Sequence, residues 1–327
     1  MTTIMPTTPS TPSGPPELAA SGGSADQAFR VTAYAAGGVV LLVLGLVTYT
    51  MVSRSADALS HMGLDFFTSR RWSPPDEFYG ILSYVWGTVF TAVIALVLSV
   101  PISLGIALFI TQVAPRWLKK TMTYVIDLLA VVPSVVFGLW GVLVLSANIK
   151  GFYGWLSDTF HGWPVLGTIF GDNPQGRSFF TAGIILAVMI TPIVVSLARE
   201  VIDTTPAFEK EAALALGATR WEMIRGAVLP HSKGGLVGAV MLGLGRAMGE
   251  TIAVALVIGS ATGQITLNAL APGNSMPAVI TAEWGEADSL KKSALIAMAM
   301  TLFVMTVLVN VLATAVVNRS QRKSRGA

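Results

Sequence analysis

Cysteine is absent from the 327 residues, and only three histidines occur, His61, His161 and His231. The first absence excludes a disulfide framework, a thiolate metal site and a cysteine nucleophile. The second, with the three rings far apart in sequence, leaves no basis for a histidine metal cluster. Charge is scarce too: Asp, Glu, Lys and Arg make up 12% of the chain, about half of what a soluble domain carries. No Gly-x-x-x-x-Gly-Lys-Ser/Thr phosphate loop occurs, nor a paired His-Glu metal signature, nor a nucleophile–base set. No catalytic residue, metal ligand or cofactor is therefore expected in this chain, and any nucleotide energy has to come from another subunit. The net charge of +3 says little about nucleic acid, because the distribution of charge matters more than its sum.

What the sequence does hold is apolar residues, 53% of the total, with a mean hydropathy of +0.67. Residues 31–53, between Arg30 and Arg54, contain no charge over 23 positions; at about 1.5 Å per residue this crosses a hydrocarbon core of roughly 30 Å. Further apolar runs follow at 128–149, 178–198 and 293–318, and at 234–258 with two charges inside it. The run 78–115 holds 38 uncharged residues, roughly 57 Å as one helix, too long for one perpendicular span. Either its first turns lie outside the bilayer, or it is two short helices hinged near Pro101. No turn cluster surrounds Pro101, and a lone proline more often kinks a membrane helix than ends it. An all-α polytopic membrane protein of six transmembrane helices is the expectation.

Lysine and arginine placement sets the orientation. With six spans and the N-terminus inside, inner segments carry 13 of these residues and outer segments 7, with Arg246 inside a span. A seven-span chain with an outside N-terminus obeys the same rule. Both arrangements put residues 199–233 in the cytoplasm. Residues 1–29, rich in Thr, Pro, Ser and Gly, cannot bury a core and read as a disordered cytoplasmic tail. They lack the basic start of a cleavable signal peptide, so the first span is expected to stay as an anchor. Residues 30–318 form the transmembrane domain, and 319–327 a basic cytoplasmic tail.

The loop at 199–233 concentrates helix punctuation. Thr205-Pro206 reads as an N-cap followed by proline at the first helical position. Glu209 and Glu211 sit at the positive end of the helix dipole. Ala212 to Leu216 are strong helix formers, and Gly217 closes the helix. Thr219-Arg220-Trp221-Glu222 is a capping box that opens a second helix, which Pro230 is expected to stop. Five basic and five acidic residues cancel here, so this is no polybasic membrane patch. Two readings stand: a short apolar helix for a groove on a soluble partner, or a hairpin packed on its own bundle.

Arg246 and Glu250 fall inside the run 234–258. Each costs about 2.5–3.5 kcal/mol at a bilayer centre on insertion scales. Four residues apart, they are expected to share one helix face. They form either a structural ion pair at a helix contact or a pathway in which Arg246 meets an anion and Glu250 holds it in place. A guanidinium makes forked, charge-assisted bonds to oxyanions. Gly238, Gly243, Gly245 and Gly249 are expected to allow neighbouring helices close. Asp127, near the inner interface, is expected to anchor to water or to Lys119 and Lys120. The outer loops 147–177 and 259–292 carry rings such as Phe152, Tyr153, Trp155, Phe160, Trp163 and Trp284, which read as an interfacial aromatic belt.

Glu211-Ala212-Ala213, then Gly217, then Leu229-Pro230 at the matching distance, resembles the Glu-Ala-Ala loop of type I ABC importer permeases, with Ala227 where that family usually carries isoleucine. Three further stretches resemble the phosphate-specific ABC permeases: 100–109 (VPISLGIALF), 133–141 (PSVVFGLWG) and 243–251 (GLGRAMGET). The resemblance covers roughly residues 31–318. It implies a permease that moves inorganic phosphate by alternating access. Glu211, Ala212, Ala213, Gly217, Leu229 and Pro230 then form a coupling loop on a separate ATPase, and Arg246 and Glu250 line the substrate path. The implied partners are a homologous sister permease (PstA-like), two ATPase subunits (PstB-like) that carry ATP and Mg, and an extracytoplasmic phosphate-binding protein (PstS-like). Pro133 and Thr191-Pro192 are kinks at gate positions. The rivals are another oxyanion such as sulfate or molybdate, or a proton-coupled carrier that protonates Glu250.

Overall fold

The computed structural model describes residues 24–172 and 174–325. The chain divides into two units, residues 1–50 and 51–327. In the first, the described residues are helical throughout and residues 26–50 are exposed, with Val39, Leu41 and Leu46 uncovered. They belong to α1 (Ser24–Met62). The helix begins inside the stretch expected as tail, because Asp26 in its first turn complements the dipole. The remainder of that expected tail, residues 1–23, lies outside the described residues.

In the second unit a short antiparallel pair, β1 (Trp72–Ser73) and β2 (Phe78–Tyr79), precedes α2 (Leu82–Leu108). Then come α3 (Arg116–Ala130), α4 (Ser134–Trp140), α5 (Lys150–Phe160), α6 (Phe179–Asp203) and α7 (Ala207–Ala215). The chain ends in α8 (Leu229–Gly249), α9 (Ile252–Val257), α10 (Met276–Glu283) and α11 (Ser289–Arg325). The last helix runs through residues 319–325, expected as tail; Gln, Arg and Lys are good helix formers. Residues 326–327 lie outside the described residues.

Among the described residues five helices are long and apolar enough to cross a membrane, and six if one bent pair counts as a span. Pro101 lies inside α2, so the run 78–115 is a single crossing. The pair breaks the expected third span: Arg116–Ala130 and Ser134–Asn148 meet at 88°. Pro133 is the N-cap of α4; it supplies no N–H to continue α3, and it biases Val132 away from helical geometry. The fifth expected span is also interrupted, at Glu250-Thr251, between α8 and α9.

Pro230 does not stop the helix before it. A widened π turn at Ile224–Val228 lets Leu229 N–H reach the Ile224 carbonyl, and Pro230 sits in the first turn of α8. The wide turn spares the proline ring a clash with the preceding turn. Residues Arg220–Gly249 thus run as one span.

Helix α6 is the axis of the bundle: 61% of its most apolar stretch is buried, against 17–33% for the other spans of this unit. Towards its start, Phe179, Ile185, Leu186 and Ile190 pack with Ala253, Val254 and Val257 of α9. Towards its end, Val195, Ala198 and Ile202 pack with Ile110, Ile126, Met223 and Val228. Lipid tails are as apolar as these side chains, so close packing rather than burial from water holds the helices together. Gly183 shows why glycine is required: a Cβ there would lie 2.3 Å from Ile94 Cγ2. Phe303, Val307 and Val311 of α11 stay exposed, an apolar surface for lipid or a partner subunit.

Candidate functional site

Helix α8 places Arg246 on a stripe of small residues. Gly238, Met241, Leu242, Gly245 and Arg246 follow helical spacing, and with Ile193, Asn310 and Thr314 they line a cavity of about 550 Å³. A Cβ on Gly238, Gly245 or Gly249 would meet nothing within 4 Å, while one on Gly243 would lie 2.7 Å from Val194 Cγ2. Only Gly243 serves the close packing expected of all four; Gly238 and Gly245 keep the cavity open. Ile193 is the fifteenth of the 25 residues of α6, so the cavity lies near mid-depth of the bundle. The Arg246 side chain is exposed there, and among the described residues it makes no ion pair.

Glu250 does not share its helix face. It caps α8 in extended geometry (φ −71°, ψ 125°), and its Oε1 accepts a hydrogen bond from the Ala253 N–H at 3.2 Å. Gly249 ends the helix, so the i, i+4 geometry expected of Arg246 and Glu250 is lost. The carboxylate instead satisfies a free N–H at the start of α9. Glu250 sets the break between α8 and α9, and among the described residues lining the cavity Arg246 carries the charge.

Asp127 faces a partner other than the lysines expected. It pairs with Arg199 of α6 at 3.9 Å, while Lys119 pairs with Asp203 at 3.4 Å and Lys120 lies over the Tyr124 ring. Both ion pairs tie α3 to the end of α6. Both are partly exposed, each contributing about 1 kcal/mol or less.

The loop between α6 and α8 is built by its caps. Pro206, one place later than expected, is the N-cap of α7, and Thr205 is buried with its hydroxyl 3.2 Å from that of Ser232. Gly217 has φ +86°. Its N–H donates to the Leu214 carbonyl at 3.0 Å, and Ala218 N–H to that of Ala213 at 3.2 Å, the complete Schellman closure. The capping box is present: Glu222 N–H donates to Thr219 Oγ1 and Thr219 N–H to Glu222 Oε2. Met223, Ile224 and Val228 seat this segment on the bundle. Facing away, Phe208, Leu216 and Trp221 are 70%, 90% and 61% exposed. Glu211, Ala212, Gly217 and Pro230 are exposed as well, whereas Ala213 and Leu229 are partly covered. His231 Nδ1 lies 3.4 Å from Glu209 Oε2. With the Thr205–Ser232 contact it ties the loop to the first turn of α8, a link whose only sequence signal was polar residues at both ends.

In α5, Tyr153 is buried, its hydroxyl 2.8 Å from Thr181 Oγ1 and its ring against Phe180. It is a core residue, unlike the exposed Phe152, Trp155 and Trp163.

Two solved structures share this architecture at low sequence identity. A bacterial ABC transporter involved in the import of the acidic polysaccharide alginate aligns over 90% of this chain and 96% of its own, with TM-score 0.61 and 16% identity. An inward-facing MetNI methionine ABC transporter aligns over 76% and 99%, with TM-score 0.55 and 15% identity. The fold is that of a type I ABC importer permease, in a multi-pass membrane subunit. The family model "Binding-protein-dependent transport system inner membrane component" matches residues 99–322, and the chain belongs to this family. Relatives called phosphate transport system permease protein PstC share 39% identity in Xylella fastidiosa, over 98% of both chains. In Mesorhizobium japonicum one shares 40% over 87% of both. In Mycobacterium tuberculosis PstC 2 shares 39% over 89% of this chain and 91% of its own.

Proposed function

We propose that this chain is the PstC-type permease subunit of an ATP-driven importer of inorganic phosphate. The observation that carries the reading is Arg246, a cation with no ion pair among the described residues, facing an open cavity at mid-depth among apolar helices. A lone guanidinium is costly at that depth and is retained where an anion or water reaches it. Glycines beside it leave room for a tetrahedral oxyanion, which the fork of donors can grip.

The chain itself performs no chemistry. ATP and Mg belong to an ATPase subunit that seats on Phe208, Leu216 and Trp221 around the Glu211-Ala212-Ala213 helix. Both termini then lie in the cytoplasm. The sister permease covers the exposed α8–α11 face, and a phosphate-binding protein delivers its load outside. In alternating access, closure of the ATPase pair moves α7. The Glu209–His231 and Thr205–Ser232 contacts pass that motion to α8, which carries Arg246 about 22 Å further along its axis. The break at Glu250 lets α8 move without dragging α9, which is packed on α4 where a Cβ on Gly138 would lie 2.8 Å from Ala253 Cα.

Uptake of labelled phosphate by the reconstituted complex, with sulfate, molybdate and arsenate as competitors, tests the reading. Competition by arsenate alone is expected. Competition by sulfate or molybdate at equal concentration would move the substrate to another oxyanion. Uptake that survives ATP depletion and stops with a protonophore would make the chain a proton-coupled carrier.

A further inference from the structure

At the opposite end of α6 from the α7 loop, a second cavity of about 460 Å³ is lined by Ser146, Lys150, Gln175, Gly176, Arg177 and Gly259, among others. That volume is in the range of small-molecule sites, about 300–1,000 Å³. Its lining holds two cations and no carboxylate. Among the described residues neither Lys150 nor Arg177 forms an ion pair.

Backbone packing brings these cations together from distant segments. A Cβ on Gly176 would lie 2.1 Å from the Ser146 carbonyl oxygen and 3.1 Å from Lys150 Cε. Only glycine therefore lets the segment before α6 lie against the turn that opens α5. That segment is fixed on both sides: Gln175 N–H donates to the Leu270 carbonyl and Ser178 N–H to that of Val257, both at 3.1 Å. Two like charges on a fixed frame repel until an anion comes between them. Ser146 and Gln175 add polar donors at the same wall.

We propose that Lys150 and Arg177, with Ser146 and Gln175, form an outer docking site for a tetrahedral oxyanion, phosphate under the function proposed above, on which its identity rests. The site lies about 20 Å along α6 from the Arg246 cavity, from the helix start to Ile193. It raises the local anion concentration at the outer mouth and hands the ion on to Arg246. The same chemistry suits the phosphate of a lipid headgroup, so the test separates the two sources.

The experiment measures binding of radiolabelled inorganic phosphate to the assembled permeases and ATPase without the phosphate-binding protein, in the Arg246→Gln background so that the outer site reports. In phospholipid-free maltoside micelles, Lys150→Gln/Arg177→Gln is expected to weaken binding about tenfold, and Lys150→Arg/Arg177→Lys to keep it. In phosphatidylglycerol nanodiscs, unchanged binding assigns the site to free phosphate and displacement assigns it to a headgroup; both uphold an oxyanion site. Binding of sulfate in place of phosphate, still lost in the double variant, upholds the site while removing the phosphate reading. Phosphate binding equal in the double variant and its parent overturns the proposal. So does the absence of any anion binding in the parent. Loss of binding-protein docking with anion binding intact also overturns it, and marks the cations as a protein contact.

Discussion

Replacing Gly217 with alanine tests whether the caps of the α7 loop position a docking surface. Gly217 has φ +86°, and an L-residue there costs roughly 1–2 kcal/mol. The space is not limiting, since a Cβ would meet nothing within 4 Å, so the whole effect is conformational. The Schellman closure it threatens engages the Ala213 and Leu214 carbonyls and so fixes the turn that carries Leu216. Relaxing it lets Leu216 leave the surface shared with Phe208 and Trp221. A cost of 1–2 kcal/mol corresponds to roughly 5–30-fold in an equilibrium. Titration of the purified permease pair with the ATPase subunit is expected to show weakening of that order, with no change in the amount of permease inserted. Gly226→Ala, in a helical turn with equal free space, is the control and should bind as the parent. Wild-type ATPase affinity for Gly217→Ala would refute the positioning role of the cap.

The glycine stripe of α8 separates packing from pathway. Gly243→Leu drives a side chain into Val194 and should lower thermal stability by about 1–3 kcal/mol. Gly238→Leu points into the cavity, and is expected to leave the melting temperature alone while cutting phosphate uptake severalfold. In the β1–β2 hairpin, the Ser73 hydroxyl, and after it the Arg71 guanidinium, hold the Asp76 carboxyl below the usual carboxylate range. A lowered folded-state value means the contribution is complete above the unfolded value of about 3.9 and fades as pH falls through the folded one. Hydrogen exchange at the Gly80 N–H, which donates to the Arg71 carbonyl, should accelerate only below that range, and Asp76→Asn should remove the pH dependence. Glu250→Ala leaves the Ala253 N–H unpaired and is expected to cost about 1–2 kcal/mol of stability. The conservative Glu250→Gln, which keeps the acceptor, should lose much less.

Apolar runs and caps were legible because they are local. Spans of twenty or more uncharged residues, the Thr219–Glu222 box and the glycine at 217 need only neighbours in sequence to act. Pro133 and Pro230 look alike in sequence and behave differently. One breaks a span by 88°, whereas the other passes through because the π turn before it opens the helix, and no local rule fixes that choice. The Arg246–Glu250 spacing suggested an ion pair, yet the helix ends at Gly249 and the extended backbone of Glu250 turned the carboxylate to Ala253. Asp127 met Arg199 and not its sequence neighbours, since α3 packs along α6. Lys150 and Arg177 share a cavity only through the contact of Gly176 with Ser146, which is invisible until the fold is known.

Phosphate uptake by the reconstituted complex carrying Arg246→Gln is the most direct measurement. Assembly with the sister permease and ATPase is expected to be unchanged, because the side chain lines the cavity and makes no ion pair among the described residues, while uptake falls to background. Uptake at the parental rate in that variant would contradict the passage of the anion past this guanidinium.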